Sequence, residues 1–272
     1  MKPKFVRFVQ FVFKDKQKGH LRFKTNLNMK KLSILLIIFA ALWGSPLVGE
    51  SEGAFAQKKV SILGDSYSTF KGYIQPEVNE PWYPFEGKDD KGQYMNDVRK
   101  VEQTWWRVFL DNNKDKYVLE KNNSYSGATI SCHGYKGQDG KPEDYCYRSY
   151  NTRCVNLGNP DIILIFGATN DSWAGAEVGE YQQSNFTKQD LWYFRPALAQ
   201  LLQNVKMYYP KAQLYYILNS ELRDEINESI HTLCNVYQVP VIDLHDIEKQ
   251  AGHPSIKGMK AIAEQVKAGI EK

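Results

Sequence analysis

Five short apolar runs recur along residues 57–272: Lys59–Leu63 (KVSIL), Tyr117–Glu120, Asp161–Phe166 (DIILIF), Gln213–Leu218 (QLYYIL) and Val239–Leu244 (VPVIDL). They are rich in Val, Ile and Tyr and bounded by Gly, Asn or Asp, the signature of buried strands. Between them Val98–Leu110, Lys188–Tyr208 and Arg223–Tyr237 carry apolar residues at helical spacing, and Ser255–Ile270 closes the chain in the same way. Strands alternating with crossover helices predict α/β architecture, a three-layer α/β/α sandwich around a five-stranded parallel sheet. Such sheets bind ligands beyond the carboxyl ends of their strands. The residues directly after each run are therefore the ones to read for chemistry.

One apolar run breaks this rhythm. Leu32–Trp43 is almost uninterrupted, follows the basic Met29-Lys30-Lys31 and precedes Ala54-Phe55-Ala56, a small-x-small sequence of the kind cleaved after export. At about a dozen residues it is short for a membrane span. It reads as a signal peptide, with translation starting at Met29, cleavage after Ala56, a single domain over 57–272 and no stable membrane span after cleavage. The protein is then exported, to the periplasm or beyond.

Charge supports this division. The whole chain of 272 residues is formally at +4, but ten of its 35 Lys/Arg and only three of its 31 Asp/Glu fall in residues 1–56. The remainder holds 25 basic and 28 acidic residues and stands at −3, which removes the main argument for a nucleic-acid partner. All four cysteines lie in this part. Export permits a disulfide, and at most one is expected among Cys132, Cys146 and Cys154, with the pair left open; Cys234 falls in a helical apolar pattern and reads as core. No spacing suggests a structural zinc site, and no metal or cofactor is called for.

Four polar blocks stand at the strand ends. Gly64-Asp65-Ser66-Tyr67-Ser68 follows the first run, Asn122-Asn123-Ser124-Tyr125-Ser126-Gly127 the second, Gly167-Ala168-Thr169-Asn170-Asp171 the third, and His253-Pro254-Ser255 lies beyond the fifth. A serine hydroxyl becomes a useful nucleophile when an imidazole takes its proton, and the resulting oxyanion needs fixed donors about 3 Å away. In this order the blocks resemble the SGNH (GDSL-type) hydrolase family over nearly all of 57–272. The resemblance implies a flavodoxin-like fold, Ser66 as nucleophile, His253 as base, and an oxyanion hole from the Ser66 and Gly127 backbone N–H groups and the Asn170 side chain.

Two positions depart from the family pattern. Where an Asp usually stands three residues before the His there is Gln250, so the acid role is vacant or moved. Asp246 and Glu248 are the nearest acids, and a Ser–His dyad with a backbone carbonyl orienting the imidazole is an equal alternative. The usual Gly two residues before Asn170 is Ala168, which bears on the local turn. His245, next to Asp243 and Asp246, is a rival base.

Aromatics complete the candidate list. Tyr73, Trp82, Tyr83 and Phe85 lie in a long polar loop after Ser66, and Trp173 follows Asn170. Trp82, Tyr83 and Trp173 are the candidate substrate-binding residues, able to stack on sugar rings or line an acyl pocket, although a long loop also packs its own anchors. Trp105 and Trp106, at helical spacing with Phe109, read as core. The reading is a serine esterase acting on a small-molecule or glycan ester, with short acyl groups on carbohydrate favoured. A non-catalytic carbohydrate-binding protein on the same fold, which the missing acid would favour, and a lipid-acyl hydrolase or acyltransferase are the alternatives.

Overall fold

A computed structural model describes residues 56–272; the proposed start at Met29 and the apolar run Leu32–Trp43 fall outside them. Strands β1 (Lys58–Gly64), β2 (Tyr117–Asn122), β5 (Ile162–Gly167), β6 (Gln213–Leu218) and β7 (Val241–Asp243) form one parallel sheet in the order β2-β1-β5-β6-β7. A hairpin of β3 (His133–Lys136) and β4 (Pro142–Asp144) and a two-residue pair, β8 (Lys249–Gln250) with β9 (His253–Pro254), stand apart from it. The helices are α1 (Trp105–Asn112), α2 (Tyr150–Arg153), α3 (Thr169–Ala174), α4 (Phe194–Tyr208), α5 (Asp224–Val236) and α6 (Ile256–Ile270).

Period-two alternation divides the central strand between two cores. Ile163 and Ile165 of β5 join Leu198, Leu202, Ile226 and Ile230 of α4 and α5 on one face. Ile162, Leu164 and Phe166 join Trp105, Trp106, Phe109, Met259 and Ile262 of α1 and α6 on the other. Each such side chain, fully buried, contributes about 1.5–3 kcal/mol, which is why β5 tolerates no polar position. Trp105 and Trp106 are core, as their spacing predicts.

Two long helical patterns are interrupted. The stretch from Val98 becomes a short 3₁₀ turn, Val101–Gln103, before α1, because Thr104 is extended (φ −72°, ψ 148°) and its hydroxyl caps back onto the Val101 carbonyl at 2.7 Å. Tyr193, also extended, separates the 3₁₀ turn Asp190–Trp192 from α4. Apolar periodicity runs through both breaks, since the turns before them still face the core. The β3–β4 hairpin, α2 and α3 have no comparable apolar rhythm. A disulfide joins Cys132 to Cys146 across the base of the hairpin, while Cys154 and Cys234 are buried thiols.

Sheet order makes β1 the strand from which the chain crosses first to one side, β2, and then to the other, β5. Its carboxyl end lies at this switch in direction, where open α/β sheets form their ligand crevices. Ser66 stands two residues past that end.

Candidate active site

Gly64, the last residue of β1, has no room for a side chain: a Cβ would lie 2.6 Å from Ser124 Oγ and 2.7 Å from Ser68 Cβ. The chain then turns sharply through a 3₁₀ segment, Ser66–Ser68, whose N-cap is Asp65, accepting from the Tyr67 N–H at 3.0 Å. Asp65 is fully buried, and burial pushes its carboxyl up to about 7 against the opposing pull of the Tyr67 N–H and the Arg153 charge. Arg153 is itself buried and donates to the Gly64, Asn123 and Arg148 carbonyls, tying the loops after β1 and β2 together under Ser66.

On one flank lie Gly127 and Asn170. Gly127 has φ +74°, a left-handed conformation that favours glycine. Asn170 opens α3 beyond β5, where Ala168 holds φ +77° in place of the family's glycine. The Asn170 amide is fixed at both ends: Tyr135 donates its hydroxyl to Oδ1 at 2.8 Å, and Nδ2 donates to the Ala128 carbonyl at 3.0 Å. An amide nitrogen has two N–H groups, so one remains for a ligand and the amide has no freedom to turn over. Tyr135 escapes sequence reasoning because it lies on the β3–β4 hairpin, 35 residues from its partner; only the flanking Cys132 and Cys146 mark that hairpin as a unit. Next to Asn170, Asp171 is buried and accepts from the Ile130 and Ser131 N–H groups and the Ser131 hydroxyl.

On the other flank is His253. Its Nε2 lies 2.9 Å from Ser66 Oγ and its Nδ1 3.2 Å from the Ala251 carbonyl. A carbonyl can only accept, so Nδ1 carries the proton and Nε2 is the acceptor for the serine hydroxyl. Burial lowers the imidazole to about 4, with the Ala251 carbonyl pulling it up and the Lys249 charge pushing it further down. The ring is therefore neutral across ordinary pH. Ala251 and Gly252 are both left-handed, making the tight turn between β8 and β9 that brings Ala251 under the ring.

This turn is strapped down from the loop that follows Ser66. Tyr67 Oη donates to the Gly252 carbonyl and Tyr83 Oη to that of Pro254, each at 2.8 Å. The Asn96 Nδ2 group reaches the carbonyls of Gln250, His253 and Pro254 at 3.1–3.4 Å. Gln250, in the family's acid position, accepts from the Asp97 N–H at 2.9 Å and so serves the strap.

Several sequence expectations need correction. Neither candidate acid touches the imidazole: Asp246 pairs with His245 at 3.0 Å on the surface, and Glu248 accepts from Ser255 Oγ at 2.6 Å and faces Lys257. Both side chains are committed elsewhere because the backbone, not a carboxylate, occupies the Nδ1 side of His253. His245, exposed and paired with Asp246, does not reach Ser66. Tyr83 is not a substrate contact; it is wholly buried, with its hydroxyl spent on Pro254. Trp82 lies against the site but offers no free face to a ligand, since one face stacks on His253 (centroids 3.6 Å apart) and the other on Phe85 (4.7 Å). Trp173 is half exposed, with its ring 6.0 Å from the imidazole.

A hydroxyl bonded to a neutral, carbonyl-oriented imidazole, beside fixed amide donors, is suited to general-base attack on a carbonyl. Comparison with known proteins leads to the same chemistry. A family model for GDSL-like lipase/acylhydrolase matches residues 58–270, while no curated protein matches the chain. Among solved structures, a protein of Bacteroides uniformis assigned as a GDSL-like lipase is 50% identical, with a TM-score of 0.73 and coverage of 79% of this chain and 96% of that one. Another from Bacteroides ovatus, similarly assigned, is 49% identical, with the same TM-score and coverage of 79% and 99%. A carbohydrate esterase whose active site displays divergent catalytic and non-catalytic binding functions shares the fold at 14% identity and a TM-score of 0.51, over 79% of this chain and 68% of that one. The chain thus belongs to the GDSL-like lipase/acylhydrolase family and is a serine hydrolase of ester bonds.

Proposed function

We propose that the protein is an exported esterase that removes short acyl groups, O-acetyl above all, from carbohydrate by way of a Ser66 acyl-enzyme. The observation that carries this reading is the 2.9 Å contact between Ser66 Oγ and the unprotonated Nε2 of His253. Ser66 Oγ attacks the ester carbonyl as its proton passes to Nε2. The oxyanion is met by the Ser66 and Gly127 N–H groups and by the second Asn170 N–H. Collapse expels the alcohol, which takes the proton back from His253, and a water deprotonated by the same imidazole then releases the acid.

Carbohydrate is favoured by the polar, aromatic rim. A Cβ on Gly127 would stand 3.3 Å from the Arg148 guanidinium, which lies 3.7 Å from the Tyr145 ring centroid and near Tyr125 and Tyr147. Trp173 offers a half-exposed indole on the opposite, His253 side. Such a rim suits a hydroxylated alcohol better than an acyl chain. Export is favoured by the Met29–Ala56 sequence and by the Cys132–Cys146 disulfide, a bond that persists in oxidising compartments. Among the described residues no helix is long and apolar enough to cross a membrane.

The test is hydrolysis of p-nitrophenyl esters of increasing acyl length and of acetylated oligosaccharides, with Ser66→Ala and His253→Ala alongside. The reading predicts a preference for acetyl, release of acetate from the sugar and loss of both in either variant. A preference for long acyl chains would overturn the substrate assignment, and a wild-type rate in His253→Ala would overturn the mechanism.

A further inference from the structure

We propose that Trp82 is a positioning residue for catalysis, whose indole face holds the His253 ring and stabilises the imidazolium formed as Ser66 attacks, supplying part of what a carboxylate would otherwise give. This inference rests on the Ser66–His253 reading. It goes further in assigning the charge-stabilising role to an aromatic ring.

Geometry is the first support. The indole and imidazole rings are 3.6 Å apart between centroids and within 8° of parallel, and Phe85 backs the indole at 4.7 Å and 4°. The three rings form a column with His253 at its end. A cation over an aromatic face is attracted by the ring quadrupole, most strongly for Trp and in a desolvated setting; His253 is 7% exposed. A neutral imidazole gains only dispersion from the same contact. The attraction therefore grows as the proton arrives, which is the condition for lowering a barrier rather than merely binding.

The second support is what else faces the ring. The Lys249 charge opposes the imidazolium. Tyr67 and Tyr83 approach by tilted or edge contacts at 5.1 and 6.2 Å, with their hydroxyls already given to Gly252 and Pro254. Carboxylates nearby are committed: Glu248 to Ser255, Asp246 to His245, and Asp97 to the Ile256 N–H. Trp173 meets the ring only edge-on, at 6.0 Å and 70°, so the Ala251 carbonyl and the stacked Trp82 face are the close favourable contacts left to a charged ring.

The third support is how Trp82 is tied to the nucleophile. Its backbone N–H donates to Thr69 Oγ1 at 2.8 Å, and that hydroxyl donates to the Ser66 carbonyl at 2.9 Å. The next residue's carbonyl accepts from the Lys71 N–H at 2.8 Å. The indole is thus held in register with the serine turn, as a residue that must meet His253 at a fixed place requires.

Site-specific replacement of Trp82 by mono-, di- and trifluorotryptophan keeps its shape and weakens its π face stepwise. The expected result, at one fixed pH, is a graded fall in log kcat reaching on the order of 10-fold at the trifluoro end, with KM within about twofold. Trp82→Phe, which keeps a π face, should retain more activity than Trp82→Leu at equal folded content. A flat kcat across the fluorinated series, or a rise in KM in its place, would overturn the proposal. His253→Ala distinguishes the two levels: if it is inactive while the series is flat, only the role of Trp82 fails; if it keeps the wild-type rate, the Ser66–His253 reading fails first.

Discussion

Ser66 and His253 meet at 2.9 Å, yet the chain places them by different means. Ser66, Gly127 and Asn170 follow β1, β2 and β5 within a few residues, so the sheet sets their positions, with Gly64, Asp65 and Arg153 fixing the turns beneath. His253 sits on a two-residue strand outside the main sheet, held by hydroxyl and amide donors from Tyr67, Tyr83 and Asn96, the last 157 positions away. One region inherits its precision from strand geometry. The other acquires it from long-range hydrogen bonds that can be removed one at a time.

That difference can be broken experimentally. The largest effect is expected from Ser66→Ala and His253→Ala, each lowering kcat by roughly 10⁴-fold or more, because the two act as a unit; the double variant should be no worse than either, as measured by steady-state kinetics. Asn170→Ala should cost about 10²–10³-fold in kcat with little change in KM, the usual result of losing an oxyanion donor. Tyr135→Phe removes one of the two anchors of the Asn170 amide and leaves the Ala128 carbonyl as the other, so it should cost less, about 3- to 10-fold; added to Asn170→Ala it should cost nothing further, and an additive loss would show that Tyr135 acts elsewhere.

On the strap side, Asn96→Ala removes the amide shared among the Gln250, His253 and Pro254 carbonyls, of which Pro254 keeps the Tyr83 hydroxyl, and should lower stability by about 1–3 kcal/mol in urea unfolding, with kcat falling in parallel as His253 loses its place. The smallest effect is expected at Ala168. Its left-handed backbone costs about 1–2 kcal/mol, but its methyl is fully buried in the core that α4 and β6 share, so Ala168→Gly should fall within about 1 kcal/mol of neutral; a larger loss would mean that packing outweighs strain there.

The same contrast explains what the sequence reveals. The five strands, the two-faced core and the residues just past the strand ends were legible because apolar periodicity and Gly-Asp-Ser-type punctuation are local. The surroundings of His253 were not. Gln250 shows that the usual acid is missing, but nothing local reveals that Ala251 offers its carbonyl instead, since that depends on two successive left-handed residues. Trp82 and Tyr83, adjacent in sequence, looked alike as loop aromatics; in the fold one caps the imidazole and the other is sealed in the core. The helix breaks at Thr104 and Tyr193 were hidden for a similar reason, because apolar spacing continues through them. Of the three candidate cysteines, Cys132 and Cys146 pair because an unpredicted hairpin brings them together.

The central claim is that His253 is a neutral base oriented by a backbone carbonyl, without a carboxylate partner. Its most direct test is an NMR pH titration of the His253 ring nitrogens in the full-length protein, with Gln250→Asp alongside. The structure predicts a proton on Nδ1 and a midpoint near 4, moved upward in the variant where a carboxylate enters the acid position. A wild-type midpoint at or above the ordinary histidine value of about 6.5, or a proton resting on Nε2, would contradict the account.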